Sequence, residues 1–284
     1  RLFGFIAAGA TIGAIAGSGL TALLARTVPV TFLLIGSVLL LEVAVFASRR
    51  LSRLAGSMQA EPASATDQPV GGNVLAGITH PFKSSYLVNV SVFILLFGIT
   101  ATFLYFQQAA IVAQNFVDRG AQTAFFATID LLVNCLTLAV EIFLTGRILR
   151  YFGVGLALAF LPLLTLCGFA TLAFVPALSA LVAFQVLRRS SDYAIARPAR
   201  EVLYTVLPRE DRYKAKNFID TVVYRAGDQV GAWSYALLAA LGFGATEVAV
   251  TAAVLSIAWL INGLWLGRKQ EAMAAAGPAK AQAV

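Results

Sequence analysis

Eight apolar runs, set apart by short polar segments, organise this chain. They cover Leu2 to Ala25, Val30 to Ala47, Ser85 to Val112, Ala124 to Leu144, Val154 to Phe174, Ala177 to Ala196, Phe218 to Leu241 and Val248 to Leu266. Most approach or exceed the roughly 20 residues that a helix needs to cross a hydrocarbon core. The pattern predicts an all-α polytopic membrane protein with eight spans. Residues 49–84, polar and rich in Pro, Gly, Ser and Ala, read as a linker, and residues 268–284 read as a polar, disordered tail.

Composition supports this reading. Hydrophobic residues make up 59% of the 284 positions and charged ones 12%, whereas soluble domains carry about 25% charged residues. The net charge of +7 does not point to nucleic acid, because no aromatic-interleaved basic motif accompanies it. With His80 the only histidine, and Cys135 and Cys167 both inside spans, neither a zinc site nor a structural disulfide is expected. No cofactor is expected either. Gly-x-Ser-x-Gly, His-Glu-x-x-His and Walker-type lysine loops are absent from the sequence, so an enzyme is not expected.

Charge asymmetry predicts the orientation. Arg1, Arg49, Arg50, Arg53, Lys83, Arg147, Arg150, Arg209, Arg212, Lys214, Lys216, Arg268 and Lys269 fall on one side, and Arg26 and Arg119 on the other. The positive-inside rule places the linker, the 145–153 turn, the 207–217 loop and the tail in the cytoplasm. The chain opens on Arg1 and enters its first span at once, so it reads as a fragment whose start lies upstream.

The first span carries Gly9, Gly13 and Gly17, and the seventh carries Gly227 and Gly231 at the same four-residue spacing. Small residues so spaced let membrane helices approach closely. Generic packing explains them, and so does a parallel repeat of the major facilitator kind. Under the second reading the spans are helices 5–12 of twelve. Residues 1–48 then end an N-terminal bundle, and 85–267 form a complete six-helix C-terminal bundle. The turn "GRILRYFGVG", Gly146 to Gly155, then sits where such proteins carry a Gly-Arg-rich cytoplasmic turn. Helices 6, 9 and 12 should face lipid, and within them only Glu42 is ionisable.

Charge inside a span costs at least about 2.5–3.5 kcal/mol near the centre, and so is paired or lines a watery cavity. In the fourth run Asp130, Asn134, Thr137 and Glu141 share one helical face. They form either interhelical hydrogen bonds or a cavity lining with an ion-coupling carboxylate. In the sixth, Gln185, Arg188, Arg189 and Asp192 share a face, with Arg188 and Asp192 an i, i+4 pair of opposite sign. A rise of about 1.5 Å per residue from Ala177 puts both arginines near mid-membrane. They are either a stapling ion pair or a site for an anion. The seventh run adds Asp220, Tyr224, Arg225 and Asp228. The third adds Asn89, Tyr105, Phe106, Gln107 and Gln108, which fit a cavity mouth and an interfacial belt equally well.

The segment "RPAREVLYTVLPREDRYKAKNFIDTVVYRAGDQVGAW", residues 197–233, resembles bacterial major facilitator proteins related to the ATP/ADP translocases. "RLFGFIAAGATIGAIAGSGLTALLA", at the start, is similar to helix 5 of that group. The resemblance implies a twelve-helix transporter in a bacterial inner membrane, with counter-exchange of nucleotides in the best-known members.

The expected function is therefore secondary transport of a small anionic solute by alternating access, by a monomer in the lipid bilayer. Gln185, Arg188, Arg189, Asp192, Tyr224, Arg225 and Asp228 are the substrate-binding candidates. Asp130, Asn134 and Glu141 are the ion-coupling or cavity candidates. Arg147, Arg150, Arg200, Glu201 and Asp220 are the gating candidates at the cytoplasmic end. Two other readings remain: a proton-coupled exporter of neutral or cationic compounds, and a non-transporting membrane scaffold or sensor.

Overall fold

A computed structural model describes residues 2–58 and 84–276, and no strand occurs among them. Two helices come first, α1 (Leu2–Leu24) and α2 (Val30–Met58). Then follow α3 (Ser85–Asn115), α4 (Arg119–Val140), α5 (Gly146–Phe174) and α6 (Leu178–Ser191). The rest are α7 (Arg197–Leu203), α8 (Arg209–Phe218), α9 (Tyr224–Ala240) and α10 (Ala245–Ala276). Three five-residue π turns, Glu141–Thr145, Asp192–Ala196 and Ile219–Val223, join α4 to α5, α6 to α7 and α8 to α9.

Among the described residues, four stretches are long and apolar enough to cross a membrane: Val30–Leu54, Ser85–Asn115, Arg119–Phe174 and Ala245–Ala276. Arg119–Phe174 contains two of the apolar runs and is broken at Gly153, which has φ 73° and ψ 177°. The sixth and seventh runs, each with a cluster of charge, do not qualify, and of the first run Gly9–Leu24 counts only as a shorter apolar helix. Burial departs from that of a water-soluble fold in two ways. Arg188, Asp192, Gln185 and Ser191 are inside, while Phe32, Leu34, Leu40, Phe46, Leu237 and Ile261 stand exposed. Apolar area on that scale is stable where lipid covers it.

Helices run further than the apolar pattern predicts. α2 continues to Met58, through the first ten residues of the expected linker, and α10 continues to Ala276, through the start of the expected tail. The 207–217 segment is largely the helix α8, not a loop, and "GRILRYF" is helical up to Gly153 rather than a turn. Arg, Lys, Gln, Glu, Ala and Leu in these segments favour helix whether or not lipid surrounds them. Apolar runs mark the lipid-covered part of a helix, not its ends. Residues 59–83 of the expected linker, with His80 and Lys83, lie outside the described residues, as do Arg1 and 277–284.

Two core clusters divide the bundle along its length. One joins Phe93 and Phe97 of α3, Leu158 and Leu161 of α5, Ile195, Leu203, and Trp259 of α10. The other joins Phe103 of α3, Phe169 of α5, Leu181 and Phe184 of α6, and Ala249 and Ala252 of α10. α3 and α5 thus run one way, and α6 and α10 the other.

Glycines set the closest approaches. A Cβ on Gly227 of α9 would lie 2.9 Å from the Leu95 carbonyl oxygen of α3, and one on Gly231 would lie 2.9 Å from Thr102 Cβ. The small-residue spacing of α9 is therefore a helix contact. In α1, a Cβ on Gly9, Gly13 or Gly17 meets nothing within 4 Å among the described residues. α1 packs instead through Gly19, 3.7 Å from a Leu131 methyl by the same measure, onto α4. The likeness between α1 and α9 is in sequence spacing, not in a shared contact.

Candidate functional site

A cavity of about 500 Å³ opens between α3 and the α6 to α7 segment, where the two core clusters meet. Phe97, Tyr105 and Gln108 of α3, Phe126 of α4 and Tyr224 of α9 form part of its wall. Gln185, Arg188, Arg189, Asp192, Tyr193 and Arg197 supply the rest of its polar lining. A helix can put Gln185, Arg188, Arg189 and Asp192 on one face because three- and four-residue spacings return to the same side.

Arg188 is the unusual member. It is only 5% exposed, and its Nε and one terminal nitrogen have no hydrogen-bond partner among the described residues. Its guanidinium carbon lies 5.2 Å from the centre of the Phe97 ring. A cation over an aromatic face gains about 0.5–2 kcal/mol, but the ring supplies no acceptor for those N–H groups. Both nitrogens are also out of reach of solvent, so the guanidinium charge there is offset by no hydrogen bond among the described residues.

Of the two readings of the sixth run, the stapling ion pair between Arg188 and Asp192 does not form. Asp192 opens the second π turn, and its carboxylate accepts from Arg197 Nε and from an Arg200 terminal nitrogen, both at 3.3 Å. The physical reason is the turn itself. A π turn bonds i to i+5, and the Arg197 amide donates to the Asp192 carbonyl, bringing residue 197 onto the face of residue 192. Arg197 is further held 4.3 Å from the Tyr193 ring centre, and Arg200 lies 5.2 Å from the Phe97 ring centre. Arg197 and Arg200 are therefore not merely charges at a helix end. They hold the carboxylate that the i, i+4 spacing assigned to Arg188.

Arg189 is paired differently again. Its Nη1 donates to Asp130 Oδ1 of α4 at 2.6 Å. Asp130 and Asn134 line a second cavity of about 530 Å³, together with Ala14, Gly17, Ser18 and Thr21 of α1. Thr137, next in the α4 stripe, is buried with its hydroxyl unpartnered among the described residues, and Glu141 is exposed on the first π turn. The four-residue stripe thus lines a cavity only through its first two members.

The remaining candidates are dispersed. Arg225 pairs with Asp228 at 3.2 Å, with the Arg225 side chain 78% exposed, and neither lines these cavities. Arg147, Arg150 and Asp220 are exposed. Glu201 pairs with Lys216 at 2.6 Å, across from α7 to α8. Beside that pair, Arg212 donates to the carbonyls of Tyr204, Thr205 and Leu207 at 3.0, 2.8 and 3.2 Å, closing the end of α7. Tyr204 is buried there, and burial pushes its phenol well above the ordinary tyrosine range. In α3, Gln108 bonds Gln185 at the cavity, while Gln107 donates to the Ala245 carbonyl at 3.0 Å. Asn89 accepts from Asn262 at 2.9 Å. Only Tyr105 and Gln108 of the expected mouth residues therefore line the cavity.

Sequence reasoning did not place Phe97, Phe126, Tyr193 or Arg197 at the site. The Tyr193–Arg197 spacing of four is visible in sequence and was the available signal. Compared with known proteins, the chain matches no family model, no curated sequence and no solved structure.

Proposed function

We propose that the protein is a secondary transporter of a small anionic solute, of the major facilitator type, with all eight apolar runs spanning a bacterial inner membrane. Arg188 carries this reading: it is buried and cationic, two of its nitrogens have no hydrogen-bond partner among the described residues, and it lines a cavity of about 500 Å³. Arginine suits a carboxylate or phosphate because its planar fork makes two parallel hydrogen bonds. Aromatic neighbours Phe97, Phe126, Tyr193 and Tyr224 give an organic anion a surface to lie against. The resemblance of residues 197–233 to ATP/ADP translocase relatives makes nucleotides the first solutes to try.

Internal pairing supports a second reading, a proton-coupled exporter of neutral or cationic compounds. Arg189 is paired with Asp130, Asp192 with Arg197 and Arg200, and Arg225 with Asp228. Arg188 separates the two, since an exporter of cations gains nothing from a free buried cation in its cavity. A proteoliposome exchange screen with nucleotides, pyrophosphate, sulfate and organic anions tests the proposal. Flux of at least one anion is expected; flux of cationic compounds alone would favour the exporter.

A further inference from the structure

The two cavities adjoin, with Phe126 and Arg189 in the walls of both. Their linings differ in charge. In the first, Arg188, Arg189 and Arg197 stand against Asp192 alone. In the second, Arg189 is matched by Asp130, which it contacts at 2.6 Å, and residues 9–24 of α1 bring no ionisable side chain.

The second lining is also one-sided in its hydrogen bonding. The Ser18 hydroxyl donates to the Ala14 carbonyl at 2.7 Å, Thr21 to Gly17 at 2.9 Å and Thr123 to Arg119 at 2.9 Å. Each hydroxyl proton is thus committed to its own helix, while the oxygen keeps lone pairs that accept. The Asp130 carboxylate is an acceptor as well. Among the described side chains of this lining, N–H groups come from Asn134 and Arg189 alone.

We propose that the two cavities hold the two ends of one solute, an anionic head in the first and a hydroxylated body in the second. The inference rests on the anion reading above and names the class of anion. Two more arginines than aspartates line the first cavity, which suits a doubly charged head such as a phosphate monoester. A hydroxyl suits the second cavity better than an apolar group or an amine does. It donates to the Ser18, Thr21, Thr123 and Asp130 oxygens and accepts from Asn134. Arg189, in both walls, stands where head and body meet.

Gly17 determines whether the body fits. It lines the second cavity, and a Cβ there meets nothing within 4 Å among the described residues. A leucine at this position takes up cavity space without displacing a neighbour.

The test is equilibrium binding of inorganic phosphate, hexyl phosphate and sorbitol 6-phosphate to purified protein in detergent micelles, with protein-free micelles as the blank. Hexyl phosphate shares the head and carbon chain of sorbitol 6-phosphate and lacks its hydroxyls. Wild-type protein is expected to bind sorbitol 6-phosphate at least about tenfold more tightly than either of the others, the effect of one or two added hydrogen bonds. In Gly17→Leu that preference is expected to disappear. Should the variant not fold, the wild-type order still decides. Equal binding of the three, or tighter binding of hexyl phosphate, overturns the hydroxylated body and leaves the anion reading standing. A preference kept in full by Gly17→Leu places the body outside the second cavity and overturns the assignment. If none of the three binds while ATP or pyrophosphate does, the inference falls and the anion reading stands. If no anion binds wild-type protein, both fall.

Discussion

Arg188 and Asp192 stand four residues apart on one helical segment, yet the carboxylate of Asp192 binds Arg197 and Arg200, and two Arg188 nitrogens have no hydrogen-bond partner among the described residues. Stability and function should therefore separate at these two positions.

An unpartnered buried cation destabilises the fold that contains it, and the cost inside a bilayer is at least about 2.5 kcal/mol. Arg188→Met keeps the length of the side chain and removes the charge. It is expected to raise the melting temperature in detergent micelles while abolishing anion binding. A fall in melting temperature would show that Arg188 is held by bonds within the protein.

Asp192→Asn should do the reverse. It strands Arg200, whose side chain is 16% exposed, and breaking a buried pair costs about 3–5 kcal/mol. Glu201→Gln, at a pair whose side chains are 60% and 35% exposed, should cost under about 1 kcal/mol. Thermal unfolding of the two variants side by side checks the order.

Glycines facing each other across α5 and α10 are not equivalent. A Cβ on Gly267 would lie 2.0 Å from Gly155 Cα, whereas one on Gly155 would lie 3.4 Å from Gly267 Cα. Gly267→Ala is expected to force the helices apart and to cost at least about 1–3 kcal/mol, with Gly155→Ala much milder. Gly153→Ala should cost about 1–3 kcal/mol by a different route, because φ 73° with ψ 177° is open to glycine alone. Relative expression and melting of the three variants test the ranking.

Arg212 holds three carbonyls at the end of α7. Its replacement by Ala should cost about 1–3 kcal/mol and speed amide hydrogen exchange over residues 203–207, leaving the exchange of α3 unchanged. Equal acceleration in both places would mean that the contact is not local.

The sequence shows the helices plainly, because apolar runs and charge gaps report directly on what lipid covers. Gln185, Arg188, Arg189, Asp192 and Tyr224, chosen from helical spacing, do converge on one cavity. The pairings within it were not legible. Each π turn adds a residue to the helical repeat, and counting at 3.6 per turn cannot register it. The approach of Arg197 to Asp192 therefore does not show in the spacing, while Phe97, on the unbroken α3, reads only as an apolar residue in an apolar run. Arg225 and Asp228 were chosen by the same counting, and they bond each other on an exposed face of α9.

The central claim is that Arg188 receives an anion. Counter-exchange of labelled nucleotides, pyrophosphate and sulfate, measured in proteoliposomes of wild-type and Arg188→Met protein matched for folded content, tests it most directly. The account predicts exchange of at least one of these anions by the wild type and a loss of at least about tenfold in the variant, as a charge-assisted hydrogen bond of about 1.5–3 kcal/mol requires. Equal exchange by the two proteins would contradict it.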